Sequence, residues 1–358
     1  MSNDNTLHST TELPFFFILG RTRSGTTLLR NLFDAHPHVA IPTEIPFIPT
    51  TYRKFGRIKI WEDSHIRDYI HCISKFDKFK NLRIEKEQLE KILISARNQK
   101  ADFNYTDVVK TLAYHYPSAF EKHDVTLLGD KSPAYSMFPQ TLYRIFPDAK
   151  YVVIVRDYRD VVASVKQIDF ELPFTAKICI NWRISQKRIL RFYQEHPQQV
   201  MLLKYEDFVA SPETQLKEIC AFLQVKFFPE VMDTFNQPKA MAQEFNTTFF
   251  NKHHASLKKP INTDRIELWR QRLKPIEVRI ADFFVGKYAE LSGYRREHTS
   301  FDLGAILYSL PVLVLGFCFV LLMSCIHLLP AAIRGKFWAP AEIVARVYYR
   351  TKKRKAHE

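Results

Sequence analysis

The feature that most constrains the fold is a polar loop, bounded by glycines, between an apolar run and an amphipathic stretch. The run Phe15–Leu19 predicts a buried strand. Residues 26–33 carry apolar side chains at helical spacing, and this pattern ends at His36-Pro37. The intervening segment GRTRSGTT starts at Gly20 and has the GxxxxG spacing of a phosphate-binding loop. Its N–H groups and the helix start would converge on an anion. Taken alone, it fits a polar loop with two surface arginines equally well.

The end of this loop differs from that of a nucleoside-triphosphate loop. Thr26 stands where a lysine is expected to contact the β- and γ-phosphates, and the loop's cations are Arg21 and Arg23. The arrangement suits an anion without a γ-phosphate. A P-loop kinase or NTPase and a non-catalytic membrane adaptor with a nucleotide pocket stay open as alternatives here. Magnesium-independent turnover would distinguish a non-kinase enzyme from the first of them.

Further apolar runs alternate with helical stretches along the chain. Tyr151–Val155 and Val200–Leu203 predict strands, and Leu127-Leu128 predicts a brief one. Helices are expected over residues 160–167, over much of 61–125, and from Ser211-Pro212 onward. This alternation predicts an α/β, P-loop-like fold with a mainly parallel central sheet flanked by helices.

Composition divides the chain into four parts. A polar extension, residues 1–13, precedes a catalytic domain over residues 14–297. Residues 303–333 then form a hydrophobic segment without Asp, Glu, Lys or Arg, which is longer than the ~20 residues that span a bilayer. The tail, residues 334–358, carries eight Lys/Arg against two glutamates. We therefore expect a membrane-associated protein, whether the segment spans, re-enters or lies in the membrane.

Charge and cysteine content narrow the class of protein further. The formal net charge of +14 suits an anionic ligand or membrane surface. No zinc-finger, RRM or KH pattern is present, so nucleic acid is not an expected partner. The five cysteines are scattered and form no CxxC pair, which favours a reducing compartment. Residues 1–11 lack an apolar h-region, so we expect no signal peptide and place the catalytic domain on the cytoplasmic face. The oligomeric state stays open.

A second candidate half-site follows the Tyr151–Val155 strand. Arg156 comes at the carboxyl end of that strand, where open α/β sheets bind ligands, and Ser164 follows eight residues later. A guanidinium and a hydroxyl together suit one additional phosphate. The alternative is a helix-capping turn with a surface pair between Asp157 and Arg159.

In combination, a strand–RSGTT–helix loop and a downstream strand–RDxRDxxxS resemble the PAPS-dependent sulfotransferases, which use 3'-phosphoadenylyl sulfate as donor. The order and spacing of Arg23–Arg30, Asp34–Pro37 and Glu44 are most similar to the tyrosylprotein sulfotransferase branch and its bacterial relatives. The resemblance extends over about residues 15–294. It implies in-line transfer of a sulfuryl group from PAPS, with no metal required.

The resemblance also implies roles for individual residues. Those for the 5'-phosphosulfate are Arg23, Ser24, Gly25, Thr26 and Thr27, with Arg23 also stabilising the transition state. Glu44 would be the general base, and Lys131 would neutralise charge on the bridging oxygen. Arg156 and Ser164 would hold the 3'-phosphate, Tyr205 would lie against the nucleotide, and Lys259 would return to the phosphates.

The sequence departs from this branch in two places. Ile168 occupies a position where the branch has a basic residue, and Lys166 could compensate for that loss. The hydrophobic segment is at the C-terminal rather than the N-terminal end. These departures argue against a protein-tyrosine acceptor. The expected acceptor is a hydroxyl, or an amine, on a membrane lipid, a glycan or a protein tyrosine.

Overall fold

The centre of the computed structural model is a parallel β-sheet. The structure describes residues 10–44, 47–168, 171–235, 260–311 and 314. Its strands are β1 (Phe15–Leu19), β2 (Val39–Ala40), β3 (Leu127–Lys131), β4 (Lys150–Val155) and β5 (Val200–Lys204). They pair in the order β2-β3-β1-β4-β5, and every pairing among them is parallel. The prediction of an α/β fold with a mainly parallel sheet is confirmed.

Strands β1, β3 and β4 are buried almost throughout because helices cover the sheet. All five residues of β1 are buried, as a continuous apolar run predicts for a central parallel strand. The predicted bounds of β1, β4 and β5 agree with the structure to within one residue. It missed β2, which has two residues, and it ended β3 three residues early because Gly129, Asp130 and Lys131 are not typical strand formers.

The helices connect and flank these strands. In the first part of the chain they are α1 (Thr26–Ala35), α2 (Ile48–Phe55), α3 (Asp63–Ile73), α4 (Lys86–Asn98), α5 (Tyr105–Tyr114) and α6 (Pro139–Ile145), with 3-10 helices at Asp77–Leu82 and Pro133–Met137. They continue as α7 (Tyr158–Val165), α8 (Thr175–Glu195), α9 (Tyr205–Ala210), α10 (Pro212–Leu223), α11 (Glu230–Phe235), α12 (Trp269–Arg272), α13 (Pro275–Val285) and α14 (Tyr288–Leu291). The predicted helix after Ser211 is confirmed, although the Ser211 side chain makes no capping hydrogen bond.

The chain divides into two compact units. The first, Met1–Val161 with Ile184–Leu268, contains the sheet and a large apolar cluster that includes Phe16, Leu32 and Val152. The second, Val162–Arg183 with Trp269–Glu358, contains α12, α13 and α14 and two smaller clusters, one around Trp269 and one around Ile280. The residues predicted for catalysis belong to the first unit.

The hydrophobic segment is described only at its start. Residues 303–311 are helical, as is residue 314. Within the described ranges, no helix combines the length and the apolar character needed to cross a bilayer. The remainder of the predicted segment and the basic tail lie outside the described residues.

Candidate active site

The carboxyl ends of the five strands lead to five residues predicted for the site. β2 leads to Glu44, β3 ends at Lys131, and β1 runs into the loop that carries Arg23. β4 is followed directly by Arg156, and β5 directly by Tyr205. Because parallel strands present their carboxyl ends at one edge, the topology brings residues that are far apart in sequence to a common crevice.

The loop after β1 has backbone angles that favour glycine. Arg23 has φ of 70° and Gly25 has φ of 94°, both in the left-handed region. A Cβ on Gly25 would come within 2.6 Å of the Tyr205 ring, so the loop backbone and that ring are in close contact. The N–H of Ser24 donates to the Arg21 carbonyl over 3.1 Å and closes the turn. The sharp turn directs the loop into the start of α1, as anion binding at a helix N-terminus requires.

A carboxylate and two ammonium groups meet on the β2–β3 side of this loop. Lys131 Nζ donates to Glu44 Oε1 over 2.8 Å and lies 3.5 Å from the Thr27 hydroxyl, at the start of α1 next to the buried Thr26. Lys78 Nζ also pairs with Glu44. Burial acts to raise the pKa of Glu44, but the charges of Lys131 and Lys78 hold it at about 2. Glu44 is therefore a carboxylate at neutral pH, as a general base must be.

The Lys131 side chain lies beside the end of the loop, whose own sequence contains no lysine. β3 is the neighbour of β1, so the last residue of β3 reaches the threonine at the end of the loop. The Lys131 ammonium is almost fully buried, and burial lowers its pKa while Glu44 opposes that effect. The ammonium group nearest the end of the loop thus comes from an adjacent strand.

A buried arginine holds the segment that carries Glu44. Arg30, in α1, donates from one terminal nitrogen to the Ile41 carbonyl over 2.6 Å and from Nε to the Pro42 carbonyl over 3.3 Å. Asn81 donates to the backbone carbonyl of Glu44 over 3.1 Å. The Glu44 segment is therefore fixed from two directions, by α1 and by the 3-10 helix at Asp77–Leu82.

A buried carboxyl group fixes the end of β3. Asp130 Oδ1 accepts the backbone N–H of Lys131 over 2.7 Å, and Oδ2 accepts the Tyr135 hydroxyl over 2.8 Å. Burial raises the pKa of Asp130 to about 7. These bonds set the direction in which Lys131 leaves the strand.

Guanidinium groups gather on the β4 side of the loop. Arg156 donates to the Arg23 carbonyl over 3.0 Å and to the Arg265 carbonyl over 2.7 Å, and its guanidinium lies 4.2 Å from the centre of the Tyr205 ring. The pKa of Arg23 falls to about 10, first because of burial and then because of the charges of Arg265 and Arg156. A concentration of like charge of this kind fits the phosphate groups of a nucleotide.

The other charged residues after β4 have structural partners. Asp157 and Arg159 form a bidentate pair with distances of 3.0 and 2.7 Å, and both are buried, so the alternative of a surface pair is wrong. Asp160 accepts the N–H of Glu267 over 2.9 Å, and Glu206 accepts the N–H of Asp157 over 3.0 Å. These bonds fix the turn that carries Arg156.

Three further predicted positions remain predictions. Ser164 lies in α7 in the second unit and is half-buried. Lys166, considered as a replacement for the basic residue lost at Ile168, pairs with Glu277. Lys259 lies outside the described residues.

Four residues of the site had no prediction: Lys78, Arg265, Arg30 and Asp130. Arg30 lies with Asn31 and Asp34 on the polar side of the predicted helix, so the apolar periodicity did not mark it as buried. Asp130 directly precedes the predicted Lys131 but had no role assigned to it. Lys78 and Arg265 lie in segments of mixed charge without a motif, and only the fold brings them to the crevice.

Comparison with known proteins identifies the family. The model of the sulfotransferase family matches residues 14–230, more than half of the chain, and the chain belongs to that family. A putative protein-tyrosine sulfotransferase of Caenorhabditis briggsae is 22% identical over 260 residues, which is 71% of this chain and 79% of the relative. Protein-tyrosine sulfotransferase A of Caenorhabditis elegans is 23% identical over 262 residues, 72% of this chain but only 61% of the relative.

Solved structures agree with the fold. The sulfotransferase domain of the olefin synthase of Synechococcus PCC 7002 aligns with a TM-score of 0.55 at 23% identity, covering 79% of this chain and 95% of that domain. The chain is thus a sulfotransferase-family enzyme with PAPS as its co-substrate, and the kinase and adaptor alternatives lose their support.

Proposed function

We propose that the protein transfers the sulfuryl group of PAPS to a hydroxyl group of its acceptor, with an amine as a less favoured alternative. The observation that supports this most is the order of the site residues along the sheet edge. The Glu44–Lys131 pair lies on the β3 side of the phosphate loop, and Arg156 with Tyr205 lies on the β4–β5 side. A nucleotide with two separate phosphate positions fits such a divided site.

In this proposal the nucleotide is held on the β4–β5 side. Arg156 binds the 3'-phosphate, and Tyr205 lies against the nucleotide. The loop residues Arg23 to Thr27 hold the 5'-phosphosulfate through backbone N–H groups. PAPS supplies an activated sulfuryl group with a nucleotide bisphosphate as leaving group.

The acid–base chemistry takes place on the other side. The acceptor oxygen forms a bond to sulfur while the bond from sulfur to the bridging phosphate oxygen breaks. The acceptor's proton goes to Glu44, and the electron pair of the broken bond leaves on the bisphosphate. Lys131 and Arg23 stabilise the charge that develops on the bridging oxygen.

The shared lysine couples donor binding to the strength of the base. Lys131 contacts both Glu44 and Thr27, so an anion on the loop competes with Glu44 for the ammonium group. A Glu44 carboxylate with a weaker hold on Lys131 has a higher pKa and accepts a proton more readily. The base thus becomes stronger only when the donor site is filled.

The proposed acceptor carries a hydroxyl at a membrane, on a lipid or a lipid-linked glycan, with the catalytic unit on the cytoplasmic face. The uncharged run over residues 303–333 and the basic tail support this location, because a tether raises the local concentration of acceptors in that membrane. The names of the relatives support a protein tyrosine as the second candidate.

Donor binding is tested by thermal unfolding of the full chain. We expect adenosine 3',5'-bisphosphate at 100 times its Kd to add about 2.7 kcal/mol without magnesium, and ADP or ATP to add much less. Arg156→Ala should abolish the stabilisation, whereas the exposed control Arg144→Ala should keep it. Stronger stabilisation by ATP with magnesium would contradict the proposal.

Turnover is tested with sulfur-labelled PAPS and extracts of membrane lipids, glycans and tyrosine peptides. Glu44→Gln should lower turnover by about 10²–10⁴-fold and leave the stabilisation by the bisphosphate unchanged. If Glu44→Gln turns over as fast as the wild type, another group is the base.

A further inference from the structure

The helix at residues 303–311 has its apolar character on the outside. Ala305 and Ser309, one turn apart, are buried, and Ala305 packs with Ala176 and Ile280 of the same unit. A surface helix of a globular protein normally buries its large apolar side chains and exposes polar ones. Here the small residues lie inward.

The large side chains form a stripe on the opposite face. Leu303, Leu307, Leu310 and Val314 are each between 47% and 59% exposed, and their spacing of three and four residues keeps them on one face of a helix. Phe301, immediately before the helix, is also exposed. We call these five residues the apolar stripe. Contiguous exposed apolar surface of this kind marks a binding site.

The start of the helix is fixed, so the stripe has a defined orientation within its unit. Asp302 Oδ1 accepts the N–H of Ala305 over 2.8 Å, which is an N-cap bond, and Asp302 Oδ2 pairs with Arg279 over 2.8 Å. The Phe301 ring contacts the Phe283 ring edge-on. These contacts hold the small face inward and leave the leucines outside.

We propose that the apolar stripe docks on the surface of a lipid bilayer that contains anionic lipids. The sequence gives two reasons to choose lipid over a protein. The stripe opens an uncharged run that continues to Ile333, and eight Lys/Arg against two glutamates follow from Ala331 onward, as expected for a basic segment at anionic headgroups. A helix that pairs with a second copy normally carries charged residues beside its apolar seam, and residues 303–311 contain none.

The test uses the full chain and large vesicles, either of phosphatidylcholine alone or with added phosphatidylserine. The variant Leu303→Gln/Leu307→Gln/Leu310→Gln changes the stripe without changing the charge. Exposed apolar residues elsewhere provide the control, Ile60→Gln/Leu291→Gln. We expect the wild type and the control to co-sediment with phosphatidylserine vesicles, and the triple variant to partition at least about tenfold more weakly.

Other occupants give different results. If the triple variant co-sediments as well as the wild type, the stripe does not dock on lipid. If the wild type ignores both vesicles and is a dimer that the triple variant converts to a monomer, the stripe is an interface between copies. Stabilisation by adenosine 3',5'-bisphosphate, measured on the same samples, reports on the donor site separately. Failure of the membrane proposal is thereby distinguishable from failure of the proposed function.

Discussion

Because Arg30 holds the segment that carries Glu44, we expect Arg30→Met to lower the free energy of unfolding. Arg30 is 1% exposed and lies 3.2 Å from Asp34, which is fully buried. Methionine fills much of the volume but donates no hydrogen bond. Among the described residues, Asp34 then keeps Lys122, 3.5 Å away, as its ion-pair partner, and the carbonyls of Ile41 and Pro42 lose a donor. Breaking a buried ion pair by removing one partner costs about 3–5 kcal/mol.

The remaining contact of Asp34 with Lys122 places the expected loss in the free energy of unfolding near the lower end, about 3 kcal/mol. That is a large fraction of a typical total of about 5–15 kcal/mol. Urea unfolding of the full chain measures it, with the exposed Arg57→Met as control, for which a change below about 0.5 kcal/mol is expected.

A double-mutant cycle separates the ion pair from the carbonyl contacts. Because Asp34→Asn removes the buried charge that loses its Arg30 partner in Arg30→Met, the double variant should be more stable than the sum of the single losses, by about 1–3 kcal/mol. Turnover of folded Arg30→Met should also fall, because the segment that carries Glu44 is released, while donor binding persists. An unfolding free energy within 1 kcal/mol of wild type, or strict additivity, would refute the reasoning.

Three further predictions concern the site. Gly25→Ala should lower the free energy of unfolding by more than about 1 kcal/mol, because φ is 94° and the new Cβ meets the Tyr205 ring. It should also abolish the stabilisation by adenosine 3',5'-bisphosphate in thermal unfolding. Retained stabilisation would show that the loop adjusts. Asp130 keeps its proton in the folded state up to about pH 7, whereas the unfolded chain releases it near pH 4. The free energy of unfolding should therefore fall by up to about 1.4 kcal/mol per pH unit between these two values and level off above pH 7. Urea titrations should show that Asp130→Asn removes this slope, and an unchanged slope would assign it to other groups. Lys78→Met should raise the pKa of Glu44 by less than about one unit, since Lys78 is 45% exposed and solvent screens the pair. The acid limb of the pH profile of turnover should move to higher pH accordingly. A loss of turnover above about tenfold at neutral pH would instead show that Lys78 contacts the reacting groups.

The sequence predicted most of the sheet because its central strands are buried on both faces and therefore read as continuous apolar runs. It missed β2, since two residues carry no period, and it shortened β3 because the last residues of that strand, Asp130 and Lys131, are polar. Both residues lie at the candidate site, where Lys131 donates to Glu44 and Asp130 accepts the N–H of Lys131. The failure of the local rule at the end of β3 was thus itself a sign of function.

The site was predictable where a motif carries backbone geometry and unpredictable where only the fold makes a contact. The glycine at position 25 reports a left-handed angle, and the arginine at position 156 follows a strand that any apolar-run analysis finds. Lys78 and Arg265 reach the crevice across about 34 and 109 residues from Glu44 and Arg156, respectively, and no local pattern marks them. A single sequence without a structure does not show which distant charged side chain the fold brings to a site.

In the proposed mechanism, the position of Lys131 accounts for the use of this loop with a donor that has no γ-phosphate. A lysine within the loop would be fixed beside the phosphates in every state. Lys131 instead reaches the loop from β3 and divides its contacts between Thr27 and Glu44, 3.5 and 2.8 Å away. Its ammonium can therefore follow the charge, from the carboxylate before donor binding to the bridging oxygen during transfer. Moving the lysine to the neighbouring strand links the electrostatics of the donor site to the base, which a lysine in the loop itself could not do.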